Sequence, residues 1–166
     1  QTPVASTLLG LGAFPASHEL SLGMMGMHGE VHTNLAIQNS DLILAFGMRF
    51  DDRVTGTLKT YAPHAKKIHI EIDPSELHKN VTVDAPLVGN LKTVLMDLIP
   101  MVDEYDHEEW KAQISKWKAE GDSRSIMNWN PDGKLHVPHL IADIWKATGG
   151  DAIVTTDVGQ HQMWTA

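Results

Sequence analysis

The chain has 166 residues, 42% of them hydrophobic, which is enough for one domain and part of another. Its 13 basic and 21 acidic residues give a formal charge of −8 and a pI near 5.6, which argues against non-specific nucleic-acid binding and suits a soluble cytosolic protein. The absence of cysteine excludes a disulfide framework, a thiolate metal site and a thiol nucleophile, and no apolar run approaches the ~20 residues of a membrane span.

Gln1 is not an initiator and no basic segment precedes an apolar one, so no signal peptide is visible and the chain reads as part of something longer. Pro3 to Ser6 predicts a buried strand, and the Gly-punctuated turn from Leu8 to Pro15 follows it. Gly10 and Gly12 lack the third glycine of a dinucleotide fingerprint, so a tight turn is the plainer reading. Residues 16 to 24 read as a loop leading to the stretch that organises the chain, Gly23 to Gly56.

In that stretch Gly23, Gly26 and Gly29 surround His28 and leave the backbone bare enough to touch a ligand. Residues 30 to 39 predict a helix, and Asn39-Ser40-Asp41 breaks it. Leu42 to Phe46 has no polar residue, as expected of a parallel strand covered on both faces. Gly47 ends the strand, and a polar loop with Arg49, Asp51, Asp52 and Arg53 follows. Ligands of open α/β sheets bind beyond the carboxyl ends of the strands, so a nucleotide-like anion is expected here.

Thr57 to Tyr61 predicts a short helix, and the alternating Lys66 to Asp73 predicts another parallel strand. The carboxyl end of that strand offers Glu71 and Asp73 to a ribose or adenine. Ser75 and Glu76 begin one helical turn, and Thr82 to Gly89 reads as an edge-like strand because of Pro86. Asn90 caps a helix through about Met101, with Leu91, Val94, Leu95, Leu98 and Ile99 at helical spacing. An amphipathic helix from His107 to Glu120 carries Trp110, Ile114 and Trp117 on one face, with Gly121 just beyond its end. Asp122 to Lys134, with Pro131 and Gly133, reads as a linker. A second amphipathic helix spans His136 to Ala147, Ala152 to Asp157 predicts a strand, and Val158 to Trp164 opens a helix.

His28 and His32 stand four apart, a spacing that binds zinc when both lie on one helix, but Gly29 replaces the glutamate of the metalloprotease pattern. His28 also falls before the helix, so no metal is expected. Arg49 and Arg53 have a bland reading as partners of internal ion pairs, and a functional one in which a planar guanidinium meets a pyrophosphate. Adjacent carboxylates in an extended loop point apart, so Asp51 and Asp52 are expected to orient the arginines, not to share a proton. Val158-Gly159-Gln160-His161-Gln162 opens a helix, which suits an anion, although a plain helix start is the safer reading.

GMMGMHG followed by FGMRFDDRVTG resembles the central domain of the acetohydroxyacid synthase (acetolactate synthase) family of thiamine-diphosphate enzymes. The usual family forms are GMLGMHG and GARFDDRVTG or GVRFDDR, from which this chain departs at Met25 and Met48. The likeness runs from VASTLLGLGAFP to DVGQHQMW and is weakest between Asp103 and Pro131. It implies an α/β fold with a Rossmann-like parallel sheet flanked by helices, N-terminally truncated. Residues 1–102 would be the FAD-binding central domain, 103–134 a helix and linker, and 135–166 the start of the pyrophosphate-binding domain.

By residue match the resemblance implies FAD contacts at Met25, Gly26, Met27, His28, Gly47, Arg49, Arg53, Glu71, Ile72 and Asp84. It implies a substrate channel at Met27, Asp52 and Arg53, and thiamine-diphosphate contacts at Val158, Gly159, Gln160 and His161. The parent enzyme would condense pyruvate with pyruvate or 2-oxobutyrate in branched-chain amino-acid synthesis, as a homo-oligomer (dimer or tetramer) with a regulatory small subunit. Mg2+ would be held by a motif outside these residues, as would the glutamate that activates the thiamine ring. These residues therefore hold no catalytic group of their own and are expected to be inactive alone. A bacterial parent would be cytoplasmic and a eukaryotic one organellar. The alternatives are another thiamine-diphosphate enzyme, such as a pyruvate oxidase or glyoxylate carboligase, and a stand-alone nucleotide-binding or regulatory module.

Overall fold

The computed structural model describes residues 1–122, 126–128 and 133–166, which fall into two units, Gln1–Trp117 and Lys118–Ala166. The first unit is built on short apolar runs that pair in parallel. Strand β1 (Val4–Ser6) pairs with β2 (Ser21–Met24), and β3 (Leu42–Phe46), β4 (Lys66–Glu71) and β5 (Ala85–Val88) form a second parallel sheet in that order. Helices α1 (Val31–Asn39), α2 (Asp52–Thr55) and α3 (Leu91–Leu98) connect and flank the strands. Parallel pairing with helical connections makes this an α/β fold, as expected. Helix α4 (Glu108–Asp122) crosses the division between the units. The second unit holds α5 (Val137–Ala147) and α6 (Gln160–Thr165). Among the described residues no helix is long and apolar enough to cross a membrane.

Local chemistry accounts for the element ends. Asn90 accepts a hydrogen bond from Lys92 N (3.0 Å) and caps α3, whose last turn tightens over Ile99–Met101. Gly149 and Gly150, both at positive φ, end α5. Trp110 and Trp117 meet edge to face at 5.6 Å over the buried Ile114, the predicted apolar face of α4. The core cluster joins Met25, Ile43, Ala45, Phe50, Tyr61 and Val83, with Ile37 of α1 and Ala5 of β1 packed against it.

Several expectations are corrected. Residues 16 to 24 are not all loop, because Ser21–Met24 finds a parallel partner in β1 and Val4 N donates to Leu20 O (2.8 Å). Gly121 lies inside α4 and does not end it. Ala152 to Asp157 forms no strand, since no neighbouring ladder pairs with it among the described residues and Ile153 is 97% exposed. Of the expected linker, residues 123–125 and 129–132, Pro131 among them, lie outside the described residues.

The apolar run of β3 is covered on one face only. Ile43 and Ala45 are buried, whereas Leu42, Leu44 and Phe46 are 48%, 39% and 41% exposed. Lys66 N donates to Asp41 O (2.7 Å) and Gly47 N donates to Ile70 O (2.9 Å), so the odd-numbered residues serve the β4 ladder. Alternation then turns the backbone groups of Leu42, Leu44 and Phe46 away from β4. Ile70 of β4, by contrast, is 1% exposed. Ile70→Ala is therefore expected to destabilise the first unit by about 2–5 kcal/mol and Leu44→Ala by about 1 kcal/mol. Urea unfolding of both variants checks the ranking, and equal losses would mean that the outer face of β3 is covered.

Candidate functional site

The site is built by a loop that has almost no side-chain bulk where it turns. Met25 N donates to Ser6 O (2.9 Å), which ties the loop to β1. Gly26 stands at φ +101°, and a Cβ there would lie 2.6 Å from Arg53 O. At Gly29 a Cβ would lie 2.4 Å from Met24 O, so the loop closes on its own backbone. Asn34 of α1 locks this turn from beneath: its Oδ1 accepts from Gly26 N (2.8 Å) and its Nδ2 donates to Gly26 O (2.8 Å). The residue was not legible as functional from the sequence. Its one signal was an asparagine, a poor helix former, in the middle of a helix.

The facing wall is α2, in a segment expected to be loop. Asp51 makes the helical turn by capping it, accepting from Arg53 N (3.1 Å) and Val54 N (3.3 Å). It also receives Arg49 Nη2 at 3.2 Å. Met27 N donates to Arg53 O (2.7 Å) and so holds the two walls together. Between them is a cleft of about 290 Å³, lined by Met25, Met27, Ile37, Val54 and Tyr61 with Asn34 and Gln38. At its rim the exposed Arg53 reaches Met27 Sδ at 4.0 Å, and Asp52 opens α2 facing solvent. Gly47, at φ +59°, turns the end of β3 toward the exposed Arg49.

Met25, Gly26 and Met27 line one cleft, Asp52 and Arg53 belong to the α2 wall beside it, and Gly47 and Arg49 follow the end of β3. His28 lies exposed in the loop while His32 is buried in α1, so the pair does not share a helix face. Glu71 ends β4 on the same side as Gly47, but its carboxylate turns back to accept from Ile72 N (2.8 Å) and Asp73 N (3.3 Å). Ile72 is exposed beside it. Asp84 is not brought to this end. It sits at the start of β5, taking Lys66 Nζ at 2.8 Å and Lys67 N at 2.9 Å. The Lys66 hydrogen bond lowers the Asp84 pKa and raises that of Lys66. Lys67 and Glu71 are four residues apart on β4, about 13 Å along the strand. Burial raises the pKa of the Tyr61 phenol, whose hydroxyl has no partner among the described residues.

In the second unit Val158 is exposed, Gly159 precedes α6, and Gln160 and His161 begin it. The His161 ring packs under Gly159, where a Cβ would lie 2.9 Å from it. A helix of six residues is too short to argue for an anion site by itself.

Residues 1–98 match the family described as thiamine pyrophosphate enzyme, central domain. Over 99% of its length the chain is similar to three named acetolactate synthases. It is 42% identical to the isozyme 3 large subunit of Escherichia coli K12 and 43% to the large subunit of Haemophilus influenzae. It is 44% identical to acetolactate synthase 1, chloroplastic, of Nicotiana tabacum. The chain spans 29%, 29% and 25% of the lengths of these proteins.

The geometry ranks substitutions in the loop. Gly29→Ala, which forces a Cβ into backbone, is expected to lower the melting temperature more than Gly47→Ala, which meets open space and carries only a strain of about 1 kcal/mol. Asn34→Ala strands the buried Gly26 amide and carbonyl and should destabilise by about 2 kcal/mol. Thermal unfolding of the three variants checks the order, and a harmless Gly29→Ala would mean that the loop is not closed as described.

Proposed function

The chain belongs to the thiamine pyrophosphate enzyme family, as its central domain, and we propose from that premise that it is the flavin-binding middle of an acetolactate synthase large subunit. In this reading the whole enzyme condenses pyruvate with pyruvate or 2-oxobutyrate to 2-acetohydroxy acids, on the way to valine, leucine and isoleucine. Its partners would be further copies of the large subunit and a regulatory small subunit. The names of the relatives favour this over a pyruvate oxidase, a glyoxylate carboligase or a stand-alone module.

The observation that carries the reading is the bare-backbone cleft with Arg53 beside Met27 at its edge and Arg49 just past the end of β3. An extended dinucleotide such as FAD needs apolar walls for its ring system and a fork of donors for its diphosphate. Met25, Met27 and Val54 supply the first, and Arg49 supplies the second from beyond the end of β3. Asp51 pre-orients that guanidinium, and its other hydrogen bonds fix it at the head of α2. Arg53 and Asp52, on the rim beside Met27, would line the path of the substrate. Fit is poorer at the other end. Glu71 spends its carboxylate on its own backbone and Asp84 lies at the opposite edge of the sheet, so a ribose contact requires Glu71 to turn outward. Thiamine diphosphate would supply the carbanion-stabilising chemistry when bound. Val158 to His161 would approach that diphosphate in the assembled enzyme.

Titration with FAD, followed by flavin fluorescence and calorimetry, tests the proposal. The chain is expected to bind FAD saturably, and Arg49→Ala is expected to weaken binding at least about tenfold, the loss of one charge-assisted contact. Unchanged affinity in the variant would take Arg49 out of the site, and no binding by the folded chain would mean that these residues alone do not complete the flavin pocket.

A further inference from the structure

His69 occupies the centre of β4, opposite Ala45 on one side and Pro86 on the other, and is fully buried. Among the described residues neither ring nitrogen has a hydrogen-bond partner of normal geometry. The edge of Phe50 meets the ring at 5.0 Å and 83°, and Glu71 Oε2 stands 3.9 Å from Nε2, too far to accept a hydrogen bond. Phe50 is itself 2% exposed and stands at φ +51°, a left-handed conformation that a bulky residue keeps only when its surroundings hold it there. Phe50 follows Arg49 directly, and the same segment has a second tie in Asn80 Nδ2 donating to Arg49 O (3.2 Å).

We infer that His69 is a pH-sensitive latch beneath the segment that carries Arg49. Neutral, the imidazole is an apolar seat for Phe50 and leaves Glu71 free to hold Ile72 N and Asp73 N. Charged, it draws on an anionic acceptor, and Glu71 Oε2 stands 3.9 Å from Nε2. Drawing the two together takes the carboxylate from the strand end and the ring from beneath Phe50. Residues 47–51 and 71–73 then loosen as one event, because one side chain supports both.

The other groups facing the ring bear on the direction. Glu76 and His78 lie on the turn after β4, with Glu76 paired to Lys79, and Tyr61 backs Phe50 at 6.1 Å. Burial lowers the His69 pKa below the ordinary 6.5, and it outweighs the pull of Glu71, the Met48 backbone and Glu76 toward the charged form, while His78 adds to the lowering. The unfolded chain therefore takes up the proton first. The stability that His69 contributes is complete above pH 6.5 and is lost as pH falls from there through the lower folded-state value. Any effect on a bound flavin rests on the reading of Arg49 given above, whereas the latch itself does not.

Amide exchange by NMR on this chain, corrected for its intrinsic pH dependence, tests the latch. Between about pH 7.5 and about pH 5.5 the protection of the Gly47 and Ile72 amides is expected to fall about tenfold, while that of Lys67, held by Asp84 at the far end of β4, stays level. His69→Gln and His69→Phe should both abolish the response, and His78→Asn should leave it intact. In the unmodified chain the Ile72 amide shift should titrate at the same midpoint as the His69 ring, a readout that needs no variant to fold. A level profile in the unmodified chain, a response surviving in both His69 variants, or one vanishing with His78→Asn would overturn the inference.

Discussion

The pair of hydrogen bonds between Asn34 and Gly26 is the constraint on which the site depends. A turn of bare backbone has little to hold its shape, and a helix side chain that fills both the amide and the carbonyl of its tightest residue supplies that hold. With the turn set, Met27 N reaches Arg53 O and places α2 opposite α1. The cleft, its apolar lining and the place of Arg53 beside Met27 all follow from that docking. The glycines are required by contact as much as by torsion, since at Gly26 and Gly29 a methyl group would strike backbone.

Charge in the first unit is largely spent on local architecture. Asp51 caps α2, Glu71 caps the end of β4, and Asp84 joins the start of β5 to that of β4 through Lys66 and Lys67. Even the buried Lys67 is satisfied, donating to Ala62 O (2.8 Å) and Ala65 O (2.9 Å). Asp51 pairs with Arg49 at 3.2 Å, Asp52 faces solvent, and the guanidinium group of Arg53 stays exposed beside Met27.

Much of the element order was legible because its signals are local. The apolar run of β3, the Asn90 cap of α3, the paired tryptophans of α4 and the glycines after α5 act within a few residues of themselves. The cluster of glycines and arginines was legible for the same reason, since its parts lie within one stretch from Gly23 to Gly56. What failed depended on partners distant in the chain. Ser21–Met24 is a strand because β1 lies beside it, and Ala152 to Asp157 is not one because nothing described pairs with it. A capping aspartate looks like any loop aspartate until the turn it caps has formed, so α2 leaves no signal of its own in the sequence.

The sequence by itself determined the α/β class, the family likeness and the stretch that carries the site, since hydrophobic period, glycine spacing and a rare charged motif are written in neighbouring residues. Only the tertiary structure decided which of the candidate residues meet. It joined Asn34 and Arg53 to the glycine loop, turned Glu71 onto its own backbone, sent Asp84 to the opposite edge of the sheet and buried His69 under Phe50. The physical reason is that strand register and side-chain burial are set by contacts between distant segments, and no residue carries its partner's identity in its neighbours.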